Sequence, residues 1–338
     1  MLTSEVVDVR ERPVTRGCWV YAKVFWRGDL DELLIDSIRP WVIGVRDRRL
    51  IDRFFFVRYW EGGQHLRLRC RLALPSLRSA LEDDLQSKIA IYAPSKTDAG
   101  QWSVEFDSYE PESLRYGGAE AMDGAEAYFD ASSRAALALL PSCTKGSSYR
   151  ISAAIELLLL QLTGAGLSAR QCSSFCRCTL LILSQYFSKE GAKRAVALFD
   201  EKFEANQSGL AKFVQRVVSA QSRESSIAAW MKFCGEYWTS LARRAEAGML
   251  ECPSLHALEE GAGVLTACEW GEALGFSWEE MVASLSDLQR PLLPILLSHI
   301  HMTNNRVGVL KQNEPLVGYL AARTLEHLSL QSQVRDLR

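Results

Sequence analysis

The 338-residue sequence has little net charge: 39 Lys and Arg stand against 41 Asp and Glu, giving −2 at pH 7. That balance argues against a nucleic-acid coat or a polybasic membrane binder, and leaves room for a local basic patch. Long apolar runs are missing. The longest stretches, such as AAIELLLLQL, are too short or too interrupted to span a bilayer. The N-terminal MLTSEVVDVRERPVTRG is charged throughout and has no secretory pattern, so a cytoplasmic protein is expected. There is no P-loop, no G-x-G-x-x-G, no H-E-x-x-H and no G-x-S-x-G. Chemistry without a cofactor, or no chemistry, is what remains. No fixed-period repeat is visible, which speaks against a solenoid.

Cysteine is not scarce, but its pattern is uninformative. Nine are present, and without a signal peptide they are expected to be reduced. In CSSFCRC, Cys172 and Cys176 would share one helix face while Cys178 points elsewhere. No second Cys/His cluster stands at zinc spacing, so buried core thiols are expected and no metal.

The length allows one large domain or two fused ones, since ~100–200 residues per domain is usual. The first part alternates strands and helices. GCWVYAKVFWR reads as a strand; GDLDELLIDSIRPWV follows as a helix with Asp29 as N-cap and Leu30, Leu33, Leu34 and Ile38 at helical spacing. IDRFFFVRYW and HLRLRCRL read as a hairpin around Glu61-Gly62-Gly63-Gln64. LPSLRSALEDDLQSKIAI is a helix with Pro75 in its first turn, and QWSVEFDSYEP a last strand. Strand, helix, strand, strand, helix, strand is the ferredoxin-like split βαβ order, which implies a mostly antiparallel sheet. After about residue 118 the pattern becomes helical, with separate helices expected at KEGAKRAVALFDEKFEANQ and LAKFVQRVVSAQSR and a last pair around 280–304 and 314–330. The fold class is α+β, with a sheet-bearing part at 1–117 and a helical part at 118–338.

Three stretches carry candidate chemistry. In HLRLRCRL the alternation puts Leu66, Leu68, Cys70 and Leu72 on one strand face, and His65, Arg67, Arg69 and Arg71 on the other. Like charges on neighbouring same-face positions repel. Either counter-charges lie on an adjacent strand, with Glu105 and Asp107 of SVEFDSYE as suppliers, or the face is an anion cradle, because an Arg fork grips carboxylates bidentately. YEPESLRYGG ends a strand with Arg115, Tyr116 and two glycines; the plain alternative is a connection in which Arg115 pairs with Glu112. HMTNNR carries His301, which shares a helix face with Asn305. His299 lies about 200° away from it on a helix, so only one of the two is expected in any one site.

Together, WVYAKVFW, FFFVRYW…HLRLR, YEPESLRYGG with AEAYFDASSRAALALL, and HMTNNR resemble the C-terminal elimination domain of lantibiotic dehydratases, which also occurs free-standing in thiopeptide-type bacteriocin biosynthesis. The resemblance runs over about residues 17–325. It implies that a separate glutamyl-tRNA-dependent glutamylation protein esterifies Ser or Thr of a precursor peptide (leader plus core). This chain would then expel the glutamate to leave dehydroalanine or dehydrobutyrine. Carried over by motif, Arg67, Arg69, Arg115 and His301 would be the elimination residues. Arg58, Tyr116, Asn305 and Arg306, in or beside the same motifs, are expected to contact substrate. No cofactor, no direct nucleic acid and no membrane are implied, and a homodimer is among the assemblies the family uses. The chain length is expected to leave no room for the glutamylation portion. The chemistry agrees: elimination releases a carboxylate, and clustered Arg would stabilise the charge as it develops. His301 would move the proton. Free-standing relatives also act as pyridine synthases, which join two dehydroalanines by a formal [4+2] cycloaddition and release the leader. That task needs an Arg cradle less, so elimination is favoured. A third reading is a non-catalytic subunit that captures the leader on a sheet edge. Under the elimination reading, HMTNNR must fold back onto the Arg face of HLRLR.

Overall fold

A computed structural model describes residues 18–96, 101–219, 225–251 and 264–336; the charged stretch 1–17 lies outside them. The β-rich segment 19–26 forms β1 (Trp19–Trp26). Asp29 then caps α1 (Leu30–Glu32) by accepting from the Asp31 N–H, and a π-helical turn (Leu33–Ile38) leads into α2 (Arg39–Asp47). β2 (Ile51–Tyr59) and β3 (His65–Leu72) form the expected hairpin. Pro75 opens a short 3₁₀ turn into α3 (Arg78–Tyr92), and β4 (Trp102–Asp107) closes the motif. The sheet order is β2-β3-β1-β4 with every neighbouring pair antiparallel, as the split βαβ pattern requires.

The remaining chain is helical: α4 (Met122–Cys143), α5 (Ser147–Gly164), α6 (Ala169–Cys178), α7 (Lys189–Val218), α8 (Ser225–Glu246), α9 (Val264–Leu274), α10 (Trp278–Ser284), α11 (Leu293–Val307) and α12 (Glu314–Asp336). The fold is therefore α+β. Two helix boundaries differ from the sequence reading. KEGAKRAVALFDEKFEANQ and the first nine residues of LAKFVQRVVSAQSR, through Val218, belong to one helix, α7, because the exposed Gly209 costs only about 1 kcal/mol and Asn206 bonds back to the Lys202 carbonyl instead of ending the turn; the end of that second stretch, 220–223, lies outside the described residues. The segment 280–304 is broken, since Pro291 and Pro294 restart the chain as a 3₁₀ turn and then α11.

One core cluster crosses the 117/118 junction. It joins the helix-covered face of the sheet (Val24, Phe54, Phe56, Leu66, Leu68) to α4, α5, α6, α8 and α11. On the opposite face a second, smaller cluster holds Trp19, Phe55, Tyr116, Met122, Ala125 and Phe129. It is aromatic and tightly interleaved: Phe55 lies 5.1 Å from Phe129, and Tyr116 4.7 Å from Phe129 between ring centroids. This second cluster fastens α4 along β2, with the Phe54 N–H bonded to Asp130 and the Phe56 N–H to Ser133. Cys172, Cys176 and Cys178 are buried free thiols, each pushed up by burial, Cys172 and Cys178 to about 12. Among the described residues no His/Cys/Asp/Glu group could hold a metal ion, and no helix is long and apolar enough to cross a membrane.

Candidate active site

Register fixes what surrounds each arginine of β3. Arg71 sits between Trp19 of β1 and Arg53 of β2, Arg69 between Tyr21 and Phe55, Arg67 between Lys23 and Val57. Arg71 is spent on structure: it holds Asp52 at 2.7 Å and Asp123 at 2.8 Å, and Arg53 shares Asp123. Glu105 and Asp107 do not neutralise Arg67 and Arg69, because β4 neighbours β1 rather than β3 and Asp107 is bonded to Lys23 at 2.6 Å.

Arg67 and Arg69 are instead held by aromatic rings. The Arg67 guanidinium lies 3.3 Å from the Tyr59 ring centroid, and that of Arg69 lies 4.5 Å from Tyr21, 5.2 Å from Tyr109 and 5.4 Å from Phe55. A ring face steadies a cation without consuming its N–H donors. Arg67 donates from Nε to His65 Nε2 at 3.4 Å, and His65 in turn bonds the Gly63 carbonyl at 2.8 Å, so His65 belongs to the hairpin. Neither arginine has a carboxylate partner among the described residues, and Arg69 Nε is buried without an acceptor. Desolvation lowers the Arg69 pKa, a cost of burial that an anion at the guanidinium opposes.

α11 brings HMTNNR onto this face. His301, Met302 and Arg306 line one cavity of about 250 Å³ together with Arg67, Arg69, Tyr109, Glu110, Glu112, Arg115 and Tyr116. Arg306 is 1 % exposed; its Nε donates to the Phe56 carbonyl while Nη1 has no acceptor. Burial pushes its pKa down to about 10, with Arg69 adding to the shift. Arg115 stands at the mouth, 2.6 Å from Glu112; desolvation works to lower its pKa and the Glu112 carboxylate outweighs it. Gly117 and Gly118 both take positive φ, but their openness serves the chain: Gly117 accepts from the Glu251 N–H at 3.1 Å, and a Cβ on Gly118 would meet Glu251 Cβ at 2.8 Å.

The two histidines separate as helical geometry requires. His299 is fully buried among Tyr116, Tyr128, Phe129, Tyr237 and Trp238, and burial holds its pKa well below the ordinary value. His301 faces the cavity, and its Nδ1 is 2.7 Å from Glu314 Oε1, a buried carboxylate at the start of α12. With a carboxylate oxygen as its partner, Nδ1 is the donor in this contact. Glu314 is the residue the sequence reading missed.

Two expected substrate contacts lie elsewhere. Arg58 is 6 % exposed on the opposite sheet face, bonded to Asp31 at 2.5 Å and to the Arg306 carbonyl. Asn305 uses its side chain on β2, accepting from the Arg58 N–H at 2.8 Å and donating to the Arg58 carbonyl at 2.9 Å. Its position four residues after His301 on the helix does not carry it into the cavity, because the β2 edge takes both ends of its amide. Asn305→Leu should therefore cost about 1–3 kcal/mol of stability, read by chemical denaturation, for the two backbone groups it strips of partners.

The model of the lantibiotic biosynthesis dehydratase C-terminal family matches residues 19–325. The chain belongs to that family. Solved structures with the same fold include the pyridine synthase TbtD from thiomuracin biosynthesis, at 15% identity and TM-score 0.64 over 91% of this chain and 98% of that one. TsrL matches at 18% identity and TM-score 0.60, over 91% and 95% of the two chains. The tRNA-dependent lantibiotic dehydratase MibB from Microbispora sp. 107891 matches at 17% identity and TM-score 0.52; 96% of this chain is covered but only 29% of MibB. No protein of curated function matches in sequence. Membership identifies the chain as a protein of the lantibiotic biosynthesis dehydratase C-terminal type.

Proposed function

We propose that the protein eliminates glutamate from glutamylated Ser or Thr of a ribosomal precursor peptide. The observation that carries this reading is one cavity where Arg67, Arg69 and Arg306 converge without a carboxylate of their own, beside a His301–Glu314 pair. In the reaction His301 Nε2 takes the Cα proton of the esterified residue. The Cα–H electron pair becomes the Cα=Cβ bond, the Cβ–O bond breaks, and its electrons leave on the glutamate carboxylate. The negative charge that gathers on that oxygen is met by guanidinium N–H donors already in place, so their interaction is stronger in the transition state than in the ester.

The competing reading is a pyridine synthase, favoured by the coverage of nearly the whole of TbtD at TM-score 0.64. It releases no carboxylate and leaves the unpartnered arginines without a task. Mass spectrometry separates the two. Incubated with the purified protein, a synthetic O-glutamyl-seryl peptide is expected to lose glutamate and become the dehydroalanine peptide. If it returns unchanged while a fully dehydrated precursor becomes a leader-free macrocycle, the cycloaddition reading replaces ours.

A further inference from the structure

The two edges of the sheet are treated differently. Along β2 side chains take five outward backbone groups: the Phe54 N–H by Asp130, the Phe56 N–H by Ser133, the Phe56 carbonyl by Arg306, and both groups of Arg58 by Asn305. An edge closed in this way cannot accept another strand.

β4 is the other edge. The Arg27 N–H bonds the Gln101 carbonyl at 3.2 Å, and the same register continues through Phe25↔Ser103, Lys23↔Glu105 and Tyr21↔Asp107. In an antiparallel ladder every second residue exchanges its hydrogen bonds with the neighbour, so 103, 105 and 107 bond to β1 while Trp102, Val104 and Phe106 aim theirs outward. Among the described residues nothing outside the sheet bonds to those three backbones. β4 has neither proline, lysine nor bulge, the usual blunting devices. It also runs directly into the cavity: Tyr109, Glu110, Glu112 and Arg115, which follow it in the chain, form one wall.

We propose that the β4 edge captures an extended segment of the substrate peptide by strand addition and delivers the adjoining residue into the cavity. The proposal rests on the elimination reading for what then happens there. With strands ~4.8 Å apart, an added strand lies three spacings, ~14 Å, from β3. The paired segment therefore stays outside the cavity, and the esterified residue comes from the part of the peptide that continues past Asp107 along the Tyr109 wall. Main-chain pairing makes capture tolerant of sequence. Charge narrows the occupant: side chains of the added strand on the open face stand beside Glu105, and beside Asp107, which is already paired with Lys23, so the segment is one without acidic residues opposite Glu105.

Val104→Pro tests this, because it removes an outward N–H and breaks no ladder bond; Val104→Ala keeps the N–H. The probe is a fluorescein-labelled, non-acidic twelve-residue peptide with one O-glutamyl serine. Its affinity is read by anisotropy in a His301→Ala background and its turnover by mass spectrometry. Val104→Pro, with a normal circular-dichroism spectrum, is expected to weaken binding about tenfold and Val104→Ala to leave it unchanged. Elimination from N-acetyl-O-glutamylserine methylamide, too short to reach β4, is expected to stay at the wild-type rate. Should Val104→Pro not fold, wild-type protein with backbone N-methylated peptides gives the same answer: methylation at alternate residues is expected to block binding, and the same methyl moved by one residue to be harmless. Unchanged affinity of Val104→Pro, insensitivity to the methylation register, or a change of oligomeric state with peptide binding intact overturns the proposal. Failure of the wild type to release glutamate from either substrate sinks the elimination reading alone, since the anisotropy result stands without it.

Discussion

Arg69→Ala is expected to lower kcat/KM for glutamate release by about 10²–10³-fold, with stability changed little, and Arg69→Lys to recover only a small part of it. Arg69 is the arginine most fully committed to waiting for a ligand. Three aromatic rings hold its guanidinium and its Nε has no acceptor. Desolvation without a counter-charge is a cost that the folded protein carries, and an arriving carboxylate removes it. A lysine would bring charge but no planar fork to lie among Tyr21, Phe55 and Tyr109. Arg71→Ala, two residues along the same face, gives the contrast. It should cost stability through Asp52 and Asp123 and leave kcat near wild type, because its donors are consumed. Steady-state kinetics on a glutamylated peptide, with denaturation curves beside them, check both. Equal losses of kcat/KM at Arg69 and Arg71 would remove the special role given to Arg69.

How much of this was legible beforehand depends on periodicity. Strict alternation in HLRLRCRL put the arginines on one face, and the hairpin signal at Glu61–Gln64 paired that strand with its neighbour. Arg58 shows where the reading stopped short. In FFFVRYW three consecutive Phe conceal the alternation, yet the hairpin register places Arg58 opposite Leu66, on the apolar face. Arg58 was thus readable as an inward residue needing a buried partner, although that partner, Asp31, is separated from it by the π-helical turn, α2 and most of β2. Asn305 was misplaced for a different reason. Helical spacing states which residues share a face but not how far the face extends over a neighbouring strand, and the amide is claimed by the β2 edge before it reaches the cavity. Glu314 carried no local signal. It reaches His301 only because Gly308, in the left-handed conformation, ends α11 and the chain turns back into α12.

Glu314 makes the second prediction sharper than the first. His301→Ala should reduce kcat by about 10²–10⁴-fold, the range for loss of a proton-transfer group, with KM close to wild type because the arginines still bind the ester. Glu314→Gln acts through His301 and is a positioning change. The amide oxygen can still accept from Nδ1, but it offers no charge to stabilise the imidazolium that forms when Nε2 takes the proton. Its expected effect is a loss of about ten- to a hundredfold in kcat with KM unchanged, restored in part by Glu314→Asp. A purely structural role for Glu314 would show the opposite pattern: lowered stability, KM and kcat affected together, and no distinction between the Gln and Asp variants. The pairing also fixes an order among double variants. Once His301 is Ala there is no imidazolium left to stabilise, so adding Glu314→Gln should lower kcat no further, whereas adding Arg69→Ala should lower it again. A double-mutant cycle showing additive losses for His301 and Glu314 would mean that the 2.7 Å contact between them is not used in the reaction.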